Sequence, residues 1–144
     1  AIRLAGIPRA TTPTAGRFSI PFSVALALIK GDAGAAQYSD ANIGDEDIQK
    51  LSAKVQVCVG QKWEESYPNK RGATVRVADH RNRESVVEVE LAKGEPENPA
   101  SWEEVYQKFC SNASLLISEE DTRKLSDIII HLEESSVEEL VKLI

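Results

Sequence analysis

The sequence contains no methionine, only two cysteines and no long hydrophobic run. Its longest apolar stretch, residues 20–29, is interrupted by Pro21 and Ser23. A membrane-spanning helix needs about 18 uninterrupted apolar residues, so the sequence does not predict one. No signal-peptide pattern is present at the first residues. Because position 1 is alanine, we expect the chain to begin at a cut end.

The two cysteines, Cys58 and Cys110, have no histidine or further cysteine at metal-ligand spacing. A disulfide is rare in a cytoplasmic protein, and we expect both to be free structural thiols. Cys58 lies between Val57 and Val59 in an alternating run, which predicts a buried or half-buried position on a strand.

Charge is unevenly distributed along the 144 residues, which otherwise have the composition of one globular domain. The net charge is −6, and residues 101–144 hold ten acidic side chains against four basic ones. Such a segment argues against a nucleic-acid-binding surface and is typical of a solvated helix face.

The hydrophobic pattern predicts an α+β fold. Apolar residues are nearly continuous from Arg17 to Lys30, which predicts a helix buried on most sides. We predict a short helix at 45–53, a loop at 63–71, and strands at 55–59, 74–78 and 84–91, the last two joined by a hairpin loop at 79–83. We expect an antiparallel sheet of about three or four strands, with one face wet and one buried.

The C-terminal third is predicted to be helical. Ser101 with Glu104 indicates a capping box, and Ser118 and Ser136 mark two further helix starts. The last apolar stripe, residues 137–144, has no stop signal, and a short helix of this kind needs a surface to pack on.

Few residues suggest chemistry on their own. His80 lies in the predicted hairpin loop and His131 on a helix flank, and neither has a partner at catalytic or metal-ligand spacing. Arg17 could bind a carboxylate near the start of the buried helix, or it could form a salt bridge with Asp32 or another surface acid.

Three segments in this order carry a resemblance to a known family. They are residues 17–28, residues 66–77, and the turn Lys-Gly-Glu-Pro-Glu-Asn-Pro at 93–99. The chain resembles the C-terminal part of the MmgE/PrpD family, which includes 2-methylcitrate dehydratases, cis-aconitate decarboxylases and iminodisuccinate epimerases. The turn at 93–99 is the most specific piece, and Lys93 and Asn98 within it are expected to be structural.

The resemblance implies a smaller α+β lid that closes over a large all-helical domain, with the active site in the cleft between them. It implies proton abstraction next to a carboxylate of a di- or tricarboxylic acid, without a metal or organic cofactor. A cytoplasmic homodimer without nucleic acid or membrane contacts is expected. The family's catalytic Asp and His residues and the lid's early Lys and His segment have no counterpart in this chain.

Residue by residue, the resemblance places Arg17 and Ser19 on the pocket side of the lid as substrate-binding residues. Phe22 falls where some decarboxylating members carry a tyrosine, which favours a dehydratase or an epimerase. We therefore predict a connector at 1–16, the lid at 17–113, and C-terminal helices at 114–144 that return to the helical domain. The function predicted is that of an MmgE/PrpD-type lyase fragment, inactive alone.

Two alternatives remain open. The chain could be a stand-alone, lid-derived binding module that pairs with a separate helical subunit, in which case residues 25–29 and 137–144 would form exposed apolar surfaces. It could also be a small enzyme in its own right, which would need a convergent acid–base pair.

Overall fold

The computed structural model describes residues 5–143, which form two compact units. The first unit comprises residues 5–56 and 101–143, and the second comprises residues 57–100. The described residues hold eight α-helices and one two-stranded antiparallel sheet, which confirms the α+β class. The predicted division into a connector, a lid and C-terminal helices, with boundaries after residues 16 and 113, stays a prediction.

The elements follow one another in a simple order. The helices of the first unit are α1 (Pro13–Arg17), α2 (Ile20–Lys30), α3 (Asp40–Ile43), α4 (Glu46–Ser52), then α6 (Trp102–Ala113), α7 (Glu119–Ile130) and α8 (Val137–Val141), with a 3-10 turn at Ala35–Gln37. The second unit holds α5 (Gln61–Ser66), β1 (Ala73–Ala78) and β2 (Glu84–Val89).

Local chemistry explains the limits of α2. Ser19 caps its N-terminus by accepting a hydrogen bond from the Phe22 amide at 3.1 Å, and Pro21 occupies the first turn. Gly31 ends the helix with a φ of 76°, a left-handed conformation that glycine adopts without steric cost.

The core of the first unit lies between α2 and α4. Its buried hydrophobic residues are Ala10, Phe22, Ala25, Leu26, Ile43 and Ile48. Only one side of α2 is buried, since Leu28 and Ile29 are 50% and 40% exposed. The prediction of a helix buried on most sides was therefore wrong for this structure, because no described element covers its other side.

The C-terminal helices begin where their caps predict. Ser101 and Ser136 form capping boxes with Glu104 and Glu139, and the Ser118 hydroxyl accepts from the Asp121 amide at 3.1 Å. Helix α7 buries Thr122, Leu125 and Ser126. Helix α8 packs on α7 with its valines largely exposed.

The second unit is a β-hairpin with one short helix packed on its polar face. In the register, Val75 lies opposite Val87 and Thr74 lies opposite Glu88, so the two pairs occupy opposite faces. The Trp63 indole of α5 donates to the Thr74 hydroxyl at 3.0 Å. The valine face is exposed, with Val87 61% accessible, so the predicted buried face was wrong.

Three further predictions were wrong for the described residues. Residues 55–59 form no strand, and Cys58 is exposed, because the alternating valines have no partner strand to pair with. The predicted loop at 63–71 begins inside α5. The sheet has two strands in place of three or four.

Within residues 5–143, none of the helices combines the length and the hydrophobicity required to cross a bilayer.

Candidate functional site

Arg17 is the predicted site residue that lies on the surface. It ends α1, and its guanidinium carbon stands 5.9 Å from the centre of the Tyr38 ring. No ion pair is formed by Arg17 within residues 5–143, and Asp32 instead accepts a hydrogen bond from the Gly34 amide at 2.9 Å. A guanidinium over an aromatic face keeps its charge and its donors available for an anion.

Two contacts hold the Tyr38 ring in place under this guanidinium. Its hydroxyl lies 2.8 Å from the Ser23 hydroxyl, and its ring centre lies 6.3 Å from that of Phe22. The ring is therefore held from two sides. Sequence reasoning missed Tyr38, because its distance from Arg17 is set by the turn at 31–39 and leaves no periodic signal.

Ser19 is almost fully buried, with 1% of its surface exposed. Its hydroxyl accepts from the Phe22 amide and donates to the Ile7 carbonyl. One hydroxyl hydrogen is available, and the Ile7 carbonyl takes it. Ser19 thus caps α2 and ties residue 7 to it, while its contact with substrate stays a prediction.

Phe22 has no exposed surface and belongs to the core of the first unit. Its ring is so close to Gly16 that a methyl group there would lie 3.2 Å from two ring carbons. The structure therefore places Arg17 on the surface of the first unit and both Ser19 and Phe22 in its interior. The three do not share one open surface.

The shifted carboxyl groups serve local structure. The amide hydrogen bond from Ile48 lowers the pKa of Asp45, which caps α4. A hydrogen bond from Lys62 lowers the pKa of Glu88 on the polar face of the hairpin. Hydrogen bonds from the amide and side chain of Arg83 lower the pKa of Asp79 in the hairpin loop. Each group is held charged, which suits a cap or an ion pair better than a general base.

The histidines and cysteines do not converge. His80 is exposed, and His131 Nδ1 lies 3.0 Å from the carbonyl oxygen of Asp127 in its own helix. Both cysteines are free, as expected. Between residues 5 and 143, no three His, Cys, Asp or Glu side chains are placed to hold a metal ion.

The first unit has clefts on its surface. One of about 560 Å³ lies between residues 8–11 and one side of α4, with Ile43 and Gly44 at its end. Another, of about 580 Å³, lies between α7 and α8 beside His131. Neither is lined by Arg17, Ser19 or Phe22.

Asn98 has a structural role in the turn at 93–99, as expected. Its side-chain amide donates to the Leu91 carbonyl at 3.2 Å, and its carbonyl accepts from the Gly94 amide at 2.8 Å. Gly94 has a φ of 95°, which restricts this position to glycine. The backbone of the turn is therefore held in one defined conformation between Leu91 and Asn98.

Comparison with known proteins gives one positive result. The family model for the MmgE/PrpD C-terminal domain matches residues 1–134. No curated protein matches the chain. Because the family model covers most of the sequence, the chain belongs to the MmgE/PrpD family and carries its C-terminal domain.

Proposed function

We propose that the chain forms the lid of an MmgE/PrpD-type lyase that acts on di- or tricarboxylates. The reaction would resemble that of 2-methylcitrate dehydratase, in which a proton next to a carboxylate is removed and water is lost. Family membership supports the reaction class. The observation in this chain that carries the proposal is Arg17, an exposed guanidinium positioned over Tyr38 without an ion pair among the described residues.

Arg17 would bind a substrate carboxylate through two parallel hydrogen bonds. Neutralising that carboxylate favours removal of the adjacent proton, because negative charge builds up next to it in the transition state. Arg17 lines neither of the two clefts described above. The chain would therefore supply binding and cover, while the all-helical domain would supply the proton transfer.

The resemblance at position 22, rather than the buried Phe22 ring itself, supports dehydration or epimerisation over decarboxylation. Phe22 stands where the resemblance places a pocket tyrosine in some decarboxylating members, and phenylalanine has no hydroxyl to donate. Ser19 would contribute by fixing the start of α2 beside Arg17. We further propose a homodimer in the cytoplasm that needs no cofactor.

The test is steady-state kinetics on 2-methylcitrate with the lid joined to its helical domain. Arg17→Gln should lower kcat/KM by about 10- to 100-fold, the loss expected for one charge-assisted hydrogen-bond pair. Arg17→Lys should recover part of that loss. Arg123→Gln is the matched control, since Arg123 is an exposed basic residue that pairs with Glu119. Equal kcat/KM values for the Arg17 and Arg123 variants would refute the assignment.

A second candidate function is a stand-alone module that pairs with a separate helical subunit. Exposed apolar residues on α2 and α8 favour it: Leu28 and Ile29 on the first, Val137 and Val141 on the second. Immunoblotting of cell extract with an antibody to residues 93–112 distinguishes the two. A band near 15.8 kDa supports the module, and a much larger band supports a two-domain lyase.

A further inference from the structure

The backbone around Tyr38 is fixed by hydrogen bonds within the first unit. The Tyr38 amide donates to the Ala35 carbonyl at 3.3 Å, at the end of the 3-10 turn. The Asn42 side-chain amide donates to the Gln37 carbonyl at 2.8 Å and so ties the residue before Tyr38 to α3. The ring of Tyr38 is therefore attached to a backbone of defined position.

A pair of hydroxyl groups links the Tyr38 ring to the backbone beside Arg17. The Tyr38 hydroxyl lies 2.8 Å from the Ser23 hydroxyl on α2, and the Ser23 hydroxyl donates a long hydrogen bond of 3.5 Å to the Gly16 carbonyl. Because serine has one hydroxyl hydrogen, Tyr38 is the donor to Ser23 in this arrangement. Gly16 immediately precedes Arg17, so these contacts tie the ring to the end of α1.

The Arg17 side chain is free to move unless the ring restrains it. It is exposed and forms no ion pair within residues 5–143. A long side chain of this kind occupies many rotamers in water, and binding a ligand must select among them. The Tyr38 ring, whose centre lies 5.9 Å from the guanidinium carbon, attracts the cation to its face. The ring therefore restricts the guanidinium before a carboxylate arrives.

We propose that Tyr38 is a positioning residue: its ring orients the Arg17 guanidinium for a substrate carboxylate, and Ser23 holds the ring in place. This inference rests on the function proposed for Arg17. The ring face contacts the guanidinium, while the phenol hydroxyl is engaged by Ser23. Substitutions at positions 23 and 38 therefore act on the reaction through Arg17.

The contact itself is tested by NMR of the Arg17 side chain in the purified chain, without substrate. An aromatic ring shifts protons above its face upfield, so the Arg17 side-chain protons should resonate upfield of those of Arg123, which pairs with Glu119 on the surface. Tyr38→Leu should move them to the Arg123 values, whereas Tyr38→Phe should keep most of the displacement. Ser23→Ala should reduce the displacement, because the ring loses its hydroxyl partner.

The consequence for the reaction is tested by kcat/KM on 2-methylcitrate with the lid joined to its helical domain. Tyr38→Leu should lower kcat/KM about two- to fivefold, the effect of one exposed cation–π contact. Tyr38→Phe should stay within about twofold of the unmodified protein, because the ring is retained. When Arg17→Gln is already present, Tyr38→Leu should cause no further loss, since residues in contact are coupled.

Arg123→Gln is the matched control for this double-mutant cycle. Combined with Tyr38→Leu, it should give the product of the two single effects, as expected for independent sites. Circular dichroism verifies that each variant is folded. If Tyr38→Leu does not fold, Tyr38→Phe and Ser23→Ala still test the contact through the Arg17 resonances.

Two results would overturn the proposal. Arg17 resonances that are the same in Tyr38→Leu and the unmodified protein would show that the ring does not orient the guanidinium. Losses from Tyr38→Leu and Arg17→Gln that multiply would show that Tyr38 acts independently of Arg17. Failure of the proposed function gives a different pattern: the Arg17 resonances respond to Tyr38→Leu, but Arg17→Gln leaves kcat/KM unchanged.

Discussion

Replacing Phe22 with tyrosine tests whether residue 22 lies in the core or in a substrate pocket. The resemblance aligns Phe22 with a substrate-facing tyrosine, whereas the structure gives its side chain no exposed surface. Its ring packs among Gly16, Ala25 and Leu26. A tyrosine would therefore bring a hydroxyl among the apolar side chains of the core.

The magnitude follows from burial of an unpaired hydroxyl. That burial costs about 1–3 kcal/mol in proteins, and steric crowding adds to it. Removing the ring with Phe22→Ala should cost more, about 3–5 kcal/mol, because it leaves a cavity. Phe22→Leu is the conservative control and should cost less than about 1.5 kcal/mol.

Urea denaturation monitored by circular dichroism measures these differences. With a slope of about 1–3 kcal/mol per molar urea, a 2 kcal/mol loss moves the midpoint by roughly 1 M. We expect the order of stability to be wild type, Phe22→Leu, Phe22→Tyr, Phe22→Ala. A tyrosine variant as stable as the wild type would refute the reasoning, because its hydroxyl would then have to reach solvent or a polar pocket.

Three further predictions concern the second unit and α6. Gly72→Ala should destabilise the hairpin unit and shift its tryptophan fluorescence, because the new methyl carbon would lie 2.1 Å from the Trp63 ring. The pKa of Asp79 is lowered in the folded state by hydrogen bonds from Arg83, so its stabilisation of the hairpin loop is present above the unfolded pKa and is lost as pH falls through the folded pKa. In Asp79→Asn, the amide NMR signals of the hairpin loop should change less as pH falls than those of the wild type. Ser101→Ala should cost α6 about 1 kcal/mol, measured by hydrogen exchange of its first turn.

Each of these has a result that contradicts it. An unchanged emission spectrum for Gly72→Ala would show that Trp63 does not pack on residue 72. If the amide signals of Asp79→Asn change with falling pH as those of the wild type do, a group other than Asp79 causes the acid dependence. Unaltered exchange in Ser101→Ala would mean that the cap does not limit fraying of α6.

Local signals in the sequence predicted local structure well. Ser101, Ser118 and Ser136 each begin a helix, since a cap is a contact between residues three apart. The hairpin also formed where alternating residues flank a short polar loop. These interactions are decided within a few residues, so the sequence contains them directly.

Predictions that depended on a partner were less successful. Val57 and Val59 have a strand pattern, but a strand also needs a neighbouring strand, and none pairs with them in residues 5–143. The buried faces predicted for α2 and the hairpin failed in the same way, because burial requires a second surface. The Arg17–Tyr38 contact could not be predicted either, since the intervening turn sets its distance.

The central claim is that this chain is a lid that becomes catalytic only with an all-helical domain. It is tested most directly by 2-methylcitrate dehydration, followed as ultraviolet absorbance of the new double bond, with the purified chain alone and with that domain added. We predict no turnover by the chain alone and turnover when the helical domain is present. Turnover of 2-methylcitrate by the chain alone would contradict the account.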